Sequence, residues 1–180
     1  MVYVLLGTGF EETEAIVPID LLRRAGVEVL TVGINGKTVY GGHGIGVEAD
    51  ISLGEMDPTV MEMIVLPGGL GGVASIRASK EAMDAIAFAQ ENGKLIAAIC
   101  AGPTVLADLH ITDGHRVTCY PGCESHMGTA HMVADAACVR DENVITGTSA
   151  GCAVPFGLAL IAALKGENAA KTVADQIVIR

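Results

Sequence analysis

The hydrophobic positions of the chain fall into short runs whose spacing predicts secondary structure. Apolar runs bounded by Gly, Pro, Asp or Asn are typical of buried β-strands. They lie at residues 3–6, 28–32, 63–66, 95–99, 116–119 and 144–146. Between them, apolar residues recur at helical spacing, as Ala15, Ile19 and Leu22 do. Strands that alternate with helices predict a three-layer α/β sandwich with a mainly parallel sheet.

Residues typical of helix ends divide the chain further. Thr8 followed by Glu11 resembles a capping box. Gly26 and Gly93 stand where a C-terminal glycine is expected, and Pro103 suits a first helical turn. The last long helix is expected from about residue 155 to residue 164, with a stop at the glycine in position 166.

Two segments interrupt the alternation of strands and helices. Residues 35–50 are rich in glycine with weak β alternation, and residues 130–143 are expected to form a short hairpin that turns at Asp141 and Glu142. We interpret both as additions to the sandwich, because no internal repeat, charge run or Pro/Ser-rich linker marks a boundary. Residues 1–180 are therefore predicted to form a single domain.

Composition indicates a folded chain and argues against several kinds of partner. Hydrophobic residues make up 51% of the 180 residues, which excludes disorder. The net charge of −10 and the lack of a Lys/Arg cluster argue against nucleic acid and anionic membranes as partners. The longest apolar run, residues 156–164, is shorter than the roughly 20 residues that span a bilayer. Residues 1–10 lack the features of a signal peptide, so we expect a cytoplasmic protein.

The five cysteines also bear on the compartment. Five is an odd number, and a chain of this length does not need disulfides for stability. Free thiols in a reducing compartment are therefore expected, and one of them is a candidate for chemistry.

Ligands of parallel sheets bind beyond the carboxyl ends of the strands, which selects residues 7–14, 67–72, 100–103 and 148–151. The third segment is the most informative, because an apolar strand runs directly into Cys100, followed by Ala101, Gly102 and Pro103. This is the layout of a nucleophile elbow with cysteine in the place of serine. A thiol at a helix N-terminus is expected to have a lowered pKa. The alternative is a buried structural cysteine.

Three acidic residues follow the first predicted strand at the same edge of the sheet. Glu11 and Glu12 are suited to the first turn of a helix, where acids stabilise the helix dipole. Glu14 lies beside the apolar series that starts at Ala15, so it is a candidate to point into the crevice. A carboxyl group that contacts a thiolate is expected to be protonated and to donate a hydrogen bond to sulfur.

Five motifs in order along nearly the whole chain resemble the ThiJ/PfpI superfamily, and more narrowly the branch of the human parkinsonism-associated protein, a deglycase. They are Glu11-Glu12-Thr13-Glu14, residues 18–26, Leu66-Pro67-Gly68-Gly69, residues 97–103 and Thr148-Ser149-Ala150-Gly151. The resemblance implies a flavodoxin-like fold and a homodimer. It also implies that Cys100 is the reactive cysteine, that Glu14 is the protonated acid bonded to it, and that the amides of Gly69 and Ala101 form an oxyanion pocket.

The chain departs from the superfamily pattern around this expected pocket. Tyr120 stands before Pro121 where relatives often have histidine, so a Cys-His dyad is not supported. His43 falls where a basic residue is common. These two residues, with Thr148 and Ser149 of the last motif, are the expected pocket residues beside the catalytic pair. Ala150, Cys152 and Pro155 also replace more usual residues.

A second constellation has the ligand types of a zinc site. Cys119, Cys123, His126 and His131 lie close together in sequence. Structural zinc sites normally have a long loop between the cysteine pair and the histidines, which this segment lacks. We therefore favour a surface loop with spare thiols and expect no metal and no cofactor.

By resemblance, the expected function is that of a cysteine-dependent enzyme acting on small reactive carbonyl compounds in stress protection, as a glutathione-independent glyoxalase or a deglycase. The alternative is a non-catalytic oxidative-stress sensor or chaperone with an oxidisable Cys100. Protease relatives have histidine directly after the nucleophile, where this chain has Ala101. Residues 148–151 lack the His-x-Glu of amidotransferases. A homodimer is expected through the first helix, near Asp20 and Arg24.

Overall fold

A computed structural model describes residues 1–179, in which helices cover both faces of one seven-stranded sheet. The strands are β1 (Val2–Leu6), β2 (Val29–Gly33), β3 (Thr38–Tyr40), β4 (Gly46–Glu48), β5 (Ile51–Ser52), β6 (Met63–Leu66), β7 (Leu95–Ile99), β8 (Arg116–Val117), β9 (His131–Met132), β10 (Cys138–Asp141) and β11 (Val144–Gly147). The helices are α1 (Glu12–Arg24), α2 (Leu70–Ala78), α3 (Lys80–Glu91), α4 (Pro103–Asp108), α5 (Ala153–Lys165) and α6 (Glu167–Gln176).

The main sheet has the strand order β10-β11-β7-β6-β1-β2-β5. All neighbouring strands are parallel except β10 and β11, which are antiparallel. The predicted α/β sandwich with a mainly parallel sheet is thus confirmed. The antiparallel pair β3–β4 and the parallel pair β8–β9 lie outside this sheet.

Alternate residues of the central strand β1 face two separate hydrophobic cores. Val2, Val4 and Leu6 pack in the core that includes α1, α5 and α6. Tyr3 and Leu5 pack in the core that includes α2, α3 and α4. Because both faces are covered, the open part of the sheet is its edge of carboxyl ends, where the loops after β1, β6, β7 and β11 meet.

Five of the six predicted strands lie in the main sheet, but the prediction for residues 116–119 is wrong in extent and place. Only Arg116 and Val117 form a strand, and β8 pairs with β9. The amide of Thr118 donates a hydrogen bond to the side-chain oxygen of Thr146 at 2.9 Å. This bond to a side chain replaces the backbone ladder, so the strand ends before Thr118.

The two interrupting segments differ in outcome. Residues 35–50 contain the β3–β4 hairpin, as their weak alternation indicates. The prediction that residues 130–143 lie outside the sandwich as an addition is wrong, because β10 is an edge strand of the main sheet. Asp141 pairs with Val144, so the turn falls at Glu142 and Asn143, one residue later than predicted. Glu142 has a φ of +52°, as such a tight turn requires.

The ends of the helices were predicted in part. Gly26 and Gly93 have positive φ, as expected, and α5 ends before Gly166. The capping box is wrong, because the N-cap of α1 is Glu11, whose carboxylate accepts the amide of Glu14. Helices α2 and α6 were not predicted. No helix within residues 1–179 has both the length and the apolar character needed to cross a membrane.

Candidate active site

Cys100 directly follows β7 in a backbone conformation that few side chains adopt. Its φ is +64°, in the left-handed region. Its amide donates to the carbonyl of Gly147 and its carbonyl accepts from the amide of Tyr120, both at 2.9 Å. Helix α4 begins at Pro103. A left-handed cysteine between a strand and a helix has the geometry of a nucleophile elbow.

Glu14 is buried in the first turn of α1, with 1% of its surface exposed. The amide of Gly68 donates a hydrogen bond to its Oε2 atom at 2.8 Å. The Oε1 atom is buried without a hydrogen-bond partner of normal geometry. The thiol of Cys100 is near enough to act on the pKa of this carboxyl group. The carboxyl group can therefore exchange a proton with sulfur or with a molecule bound there.

Gly68 allows the carboxyl group and the thiol to approach each other. A Cβ atom at this position would overlap Oε2 of Glu14 and would lie 2.7 Å from Cβ of Cys100. Only glycine leaves room for both side chains beside the same backbone. The sequence alone does not predict this constraint on Gly68, although the Gly68-Gly69 pair is a signal for close approach of other groups to the backbone.

Burial is the largest influence on the ionisation of Glu14. It raises the pKa of this carboxyl group to about 7, and the negative charge of Glu11 acts in the same direction. Hydrogen bonding with Cys100 and with the amide of Gly68 acts in the opposite direction. A carboxyl group with this pKa exchanges protons near neutral pH, as a general acid or base must.

The ionisation of Cys100 differs from the sequence expectation. Burial, followed by the charge of Glu14, raises the pKa of the thiol to about 12. The amides of Ala101 and Gly69 act in the opposite direction. The predicted lowering is therefore wrong in direction, because burial and an adjacent carboxylate outweigh the amides. The two groups share one proton between about pH 7 and about pH 12.

The two predicted oxyanion amides lie on different loops beside the sulfur atom. Ala101 follows Cys100 in the elbow, and Gly69 precedes α2 with a φ of +84°. Both amides lower the pKa of the thiol, which means that both are directed towards negative charge at sulfur. Donors in this position can also stabilise an oxygen atom on a carbon bonded to that sulfur.

His43 is held by Glu12 rather than by the catalytic pair. Its amide donates to Oε1 of Glu12 at 2.7 Å, and its ring Nδ1 lies 2.8 Å from Oε2. Burial alone would raise the pKa of Glu12, but the hydrogen bonds with His43 outweigh burial, so the pKa of this carboxyl group is lowered. Glu12 therefore anchors the loop of His43, a role beyond the dipole stabilisation predicted for it.

The other predicted pocket residues have separate surroundings. The Thr148 hydroxyl hydrogen-bonds the Ala136 carbonyl and lies 2.9 Å from the Thr118 hydroxyl. The nearest polar partner of the Ser149 hydroxyl is the sulfur of Cys152, at 3.9 Å. Tyr120 is half exposed, and it contacts the elbow through its backbone amide. The hydrogen bonds of Thr148 indicate a structural role.

The four residues of the possible zinc site do not converge within the described residues. Across residues 1–179, one set of three potential ligands has all its ligand atoms within 4.8 Å, and it consists of Glu11, Glu12 and His43. Glu12 and His43 already bind each other, and Glu11 accepts the amide of Glu14. These atoms therefore have partners within the protein.

Comparison with known proteins places these features in a family context. Residues 1–163 match the DJ-1/PfpI family. Drosophila melanogaster protein dj-1beta is 35% identical over 98% of this chain and 95% of its own length. Its crystal structure aligns with a TM-score of 0.94 over 99% of this chain and 97% of that one. The Parkinson disease protein 7 homolog of Danio rerio is 33% identical, covering 98% and 96% of the two chains. A deglycase of Pyrococcus abyssi is 32% identical, covering 83% and 90%.

Proposed function

Because this chain belongs to the DJ-1/PfpI family, we propose that it is a cysteine-dependent enzyme that converts small 2-oxoaldehydes to 2-hydroxy acids without glutathione, in protection against carbonyl stress. One observation carries the proposal. The carboxyl group of Glu14 is buried beside the thiol of Cys100, and its Oε1 atom has no hydrogen-bond partner of normal geometry. A carboxyl group with a pKa of about 7 in that place is suited to carry a proton between two carbon atoms.

The first step is addition of Cys100 to the aldehyde carbon. As the bond from sulfur to carbon forms, Glu14 takes the thiol proton and the carbonyl oxygen becomes negatively charged. The amides of Gly69 and Ala101 stabilise this oxygen, which then takes the proton back from Glu14 to give a hemithioacetal and leaves Glu14 as a carboxylate. No charge has to be stored on sulfur beforehand, which agrees with a thiol pKa that burial raises.

The second step moves hydrogen from the aldehyde carbon to its neighbour. The Glu14 carboxylate removes the proton from the carbon bonded to sulfur, which gives an enediolate. The hydroxyl proton on that carbon passes to the neighbouring oxygen, and Glu14 returns its proton to the adjacent carbon. The product is a thioester of a 2-hydroxy acid on Cys100. Water cleaves this thioester and restores the thiol, so the net reaction adds one water molecule to the substrate.

A deglycase reaction would use the same residues on a carbonyl compound that arrives attached to an amine. The relative from Pyrococcus abyssi carries that name and shares 32% identity with this chain. The adduct on Cys100 and the proton transfer by Glu14 are common to both reactions. The difference lies in the leaving amine, which Glu14 would protonate.

The test is conversion of methylglyoxal to lactate by the wild-type protein, Cys100→Ser and Cys138→Ser. Cys138 is a free, half-buried thiol on β10 and serves as the matched control. We expect Cys100→Ser to lose at least roughly 100-fold in rate, while Cys138→Ser keeps the wild-type rate. Full activity in Cys100→Ser, or none in the wild-type protein, would overturn the proposal.

The second candidate function is that of an oxidative-stress sensor. The arrangement that favours it is the same buried carboxyl group beside Cys100, which in its protonated form can donate a hydrogen bond to an oxygen atom on oxidised sulfur. Treatment with hydrogen peroxide should then add two oxygen atoms to Cys100 before any other cysteine, as site-resolved mass spectrometry would show. Equal oxidation of Cys100, Cys123, Cys138 and Cys152, which are all partly buried, would contradict this role.

We also propose a homodimer that assembles through α1 in the reducing cytoplasm. Ile16, Asp20 and Arg24 are spaced four residues apart and are all exposed on α1, where Ile16 is 42% exposed. An apolar side chain in line with an Asp20–Arg24 ion pair suits a two-fold contact between copies. All five cysteines are free, as expected for a reducing compartment.

A further inference from the structure

A small cavity of about 150 Å³ lies directly beside the proposed oxyanion amides. Leu70 and Ala101 line it, and these residues adjoin Gly69 and Cys100 in sequence. Val73 adds a third apolar side chain. Part of the lining therefore comes from the residues that directly follow Gly69 and Cys100 in the two loops of the site. Cys100 and Glu14 do not line the cavity. The cavity is therefore a candidate site for the part of a substrate that does not react.

Arg77 is the one Lys, Arg, Asp or Glu residue in the lining of this cavity within residues 1–179, and Cys123 and His126 line it as well. Two hydrogen bonds fix its guanidinium group, one from Nε to Asp108 at 2.6 Å and one from Nη2 to the hydroxyl of Thr104 at 2.9 Å. Asp108 does not line the cavity. A guanidinium group has five N–H donors, so several remain for a ligand.

Thr104 connects this arginine to the elbow. Its hydroxyl accepts from Arg77 and donates to the carbonyl of Ala101 at 2.6 Å. Thr104 is buried, with 5% of its surface exposed. The guanidinium group is therefore held two hydrogen bonds away from Ala101, the residue whose amide is one of the two proposed oxyanion donors. This fixed position suits recognition of one end of a substrate whose other end reacts with Cys100.

We propose that the cavity binds the substituent of the 2-oxoaldehyde and that Arg77 selects substituents ending in a carboxylate. The remaining N–H donors of Arg77 favour a ligand with acceptor oxygens. The side chains of Leu70 and Val73 favour a short aliphatic segment between these oxygens and the reacting carbon. The substrate class is thus a 2-oxoaldehyde that carries an acid group a few carbons away. Its product is a hydroxylated dicarboxylic acid. This inference rests on the proposed function, because it names the substrate of that site.

The first experiment does not depend on turnover. Cys100 is alkylated with N-(bromoacetyl)glycine and with its neutral carboxamide, whose acid and amide groups lie the same number of bonds from sulfur. The ratio of the two rates at Cys100, read by mass spectrometry, is divided by the ratio for a free thiol. We expect the wild-type protein to favour the acid about tenfold, the effect of one charge-assisted hydrogen bond at a partly exposed site.

The variants in this experiment separate Arg77 from general charge. Arg77→Gln should return the ratio to that of the free thiol, and Arg77→Lys should retain part of the preference. Lys80→Gln removes an exposed positive charge outside the cavity and should keep the wild-type ratio. A wild-type ratio equal to that of Arg77→Gln, or an equal loss in Lys80→Gln, would overturn the inference.

The second experiment compares turnover of 4,5-dioxopentanoate with that of neutral 2-oxohexanal. We expect kcat/KM to favour the acid in the wild-type protein and this preference to fall about tenfold in Arg77→Gln. Turnover of methylglyoxal without any preference for acids would overturn the inference and leave the proposed function standing. Preference for the acid reagent at Cys100 without turnover of any 2-oxoaldehyde would overturn the proposed function and the substrate class with it, and would leave only the binding of a carboxylate by Arg77 standing.

Discussion

The carboxyl group of Glu14 and the thiol of Cys100 are buried together, and each changes the ionisation of the other. Glu14 comes from the first turn of α1 and Cys100 from the elbow after β7, and the backbone of Gly68 contacts both. The pair holds two protons below about pH 7 and one proton from there to about pH 12. The state with one proton is the form that can add to a carbonyl carbon.

The shared proton predicts an unusual pH profile for alkylation of Cys100 by iodoacetamide. In the wild-type protein the rate should rise to about pH 7 and then level off, because the remaining proton stays with the pair. In Glu14→Gln only the thiol titrates, so its rate should continue to rise beyond pH 9. Site-resolved mass spectrometry from pH 5 to pH 10 would measure both profiles. Two parallel profiles would show that the groups titrate independently.

Glu14 also predicts how stability depends on pH. Its pKa is raised to about 7 in the folded protein from 4.5. The folded state therefore holds a proton that the unfolded state loses, so its contribution to stability is complete below pH 4.5 and is lost as pH rises to about 7. Between pH 4.5 and pH 8 the wild-type protein should lose about 3 kcal/mol in free energy of unfolding relative to Glu14→Gln. Urea unfolding of both proteins would measure this difference, and stability curves that run in parallel would contradict it.

Gly68→Ala should disrupt the pair without removing either group. The added Cβ would collide with Glu14 and with Cys100, so the two side chains must separate. We expect at least roughly a 100-fold loss of turnover, with a loss of stability of about 1–3 kcal/mol. Gly54→Ala is the matched control, since no atom lies within 4 Å of the added Cβ there. Wild-type turnover in Gly68→Ala would show that close approach of the two groups is not required.

The proposed dimer predicts a change in mass in solution. Sedimentation at micromolar concentration should show twice the 18.4 kDa of the chain. Ile16→Glu places a charge in the proposed interface on α1 and should shift the protein towards the monomer. Val60→Glu alters a side chain of similar exposure outside α1 and should not. A wild-type protein that sediments only as a monomer would count against the interface.

The fold was largely predictable because its signals are local. Buried strands such as β6 and β7 appear as continuous apolar runs, and Gly26 and Gly93 mark helix ends. The errors fall where a long-range contact decides the structure. The strand at residue 116 ends early because Thr118 binds the side chain of the distant Thr146. The amphipathic pattern of α2 is weak because its sequence is rich in glycine, so its existence depends on packing.

The position of Cys100 followed from its place between an apolar strand and Pro103, whereas its pKa did not. The direction of that shift depends on burial and on the distance to Glu14, and neither can be obtained from spacing along the chain. The same holds for Arg77, whose contact with Thr104 and position beside the elbow arise only when α2 packs near α4. The attachment of His43 to Glu12 likewise joins a loop to the first residue of α1, far apart in sequence.

The most direct test of the catalytic role of Glu14 is the conversion of methylglyoxal to lactate by Glu14→Gln, measured with the alkylation rate of Cys100 at pH 7 in the same sample. Glutamine keeps a hydrogen-bond donor beside sulfur but cannot carry a proton between carbons. We predict that kcat/KM falls by at least roughly 100-fold and that alkylation at pH 7 also slows, because glutamine cannot accept the thiol proton, whereas at pH 10 Cys100 of the variant is still alkylated readily. A Glu14→Gln variant that forms lactate at the wild-type rate would contradict the proposed proton transfer.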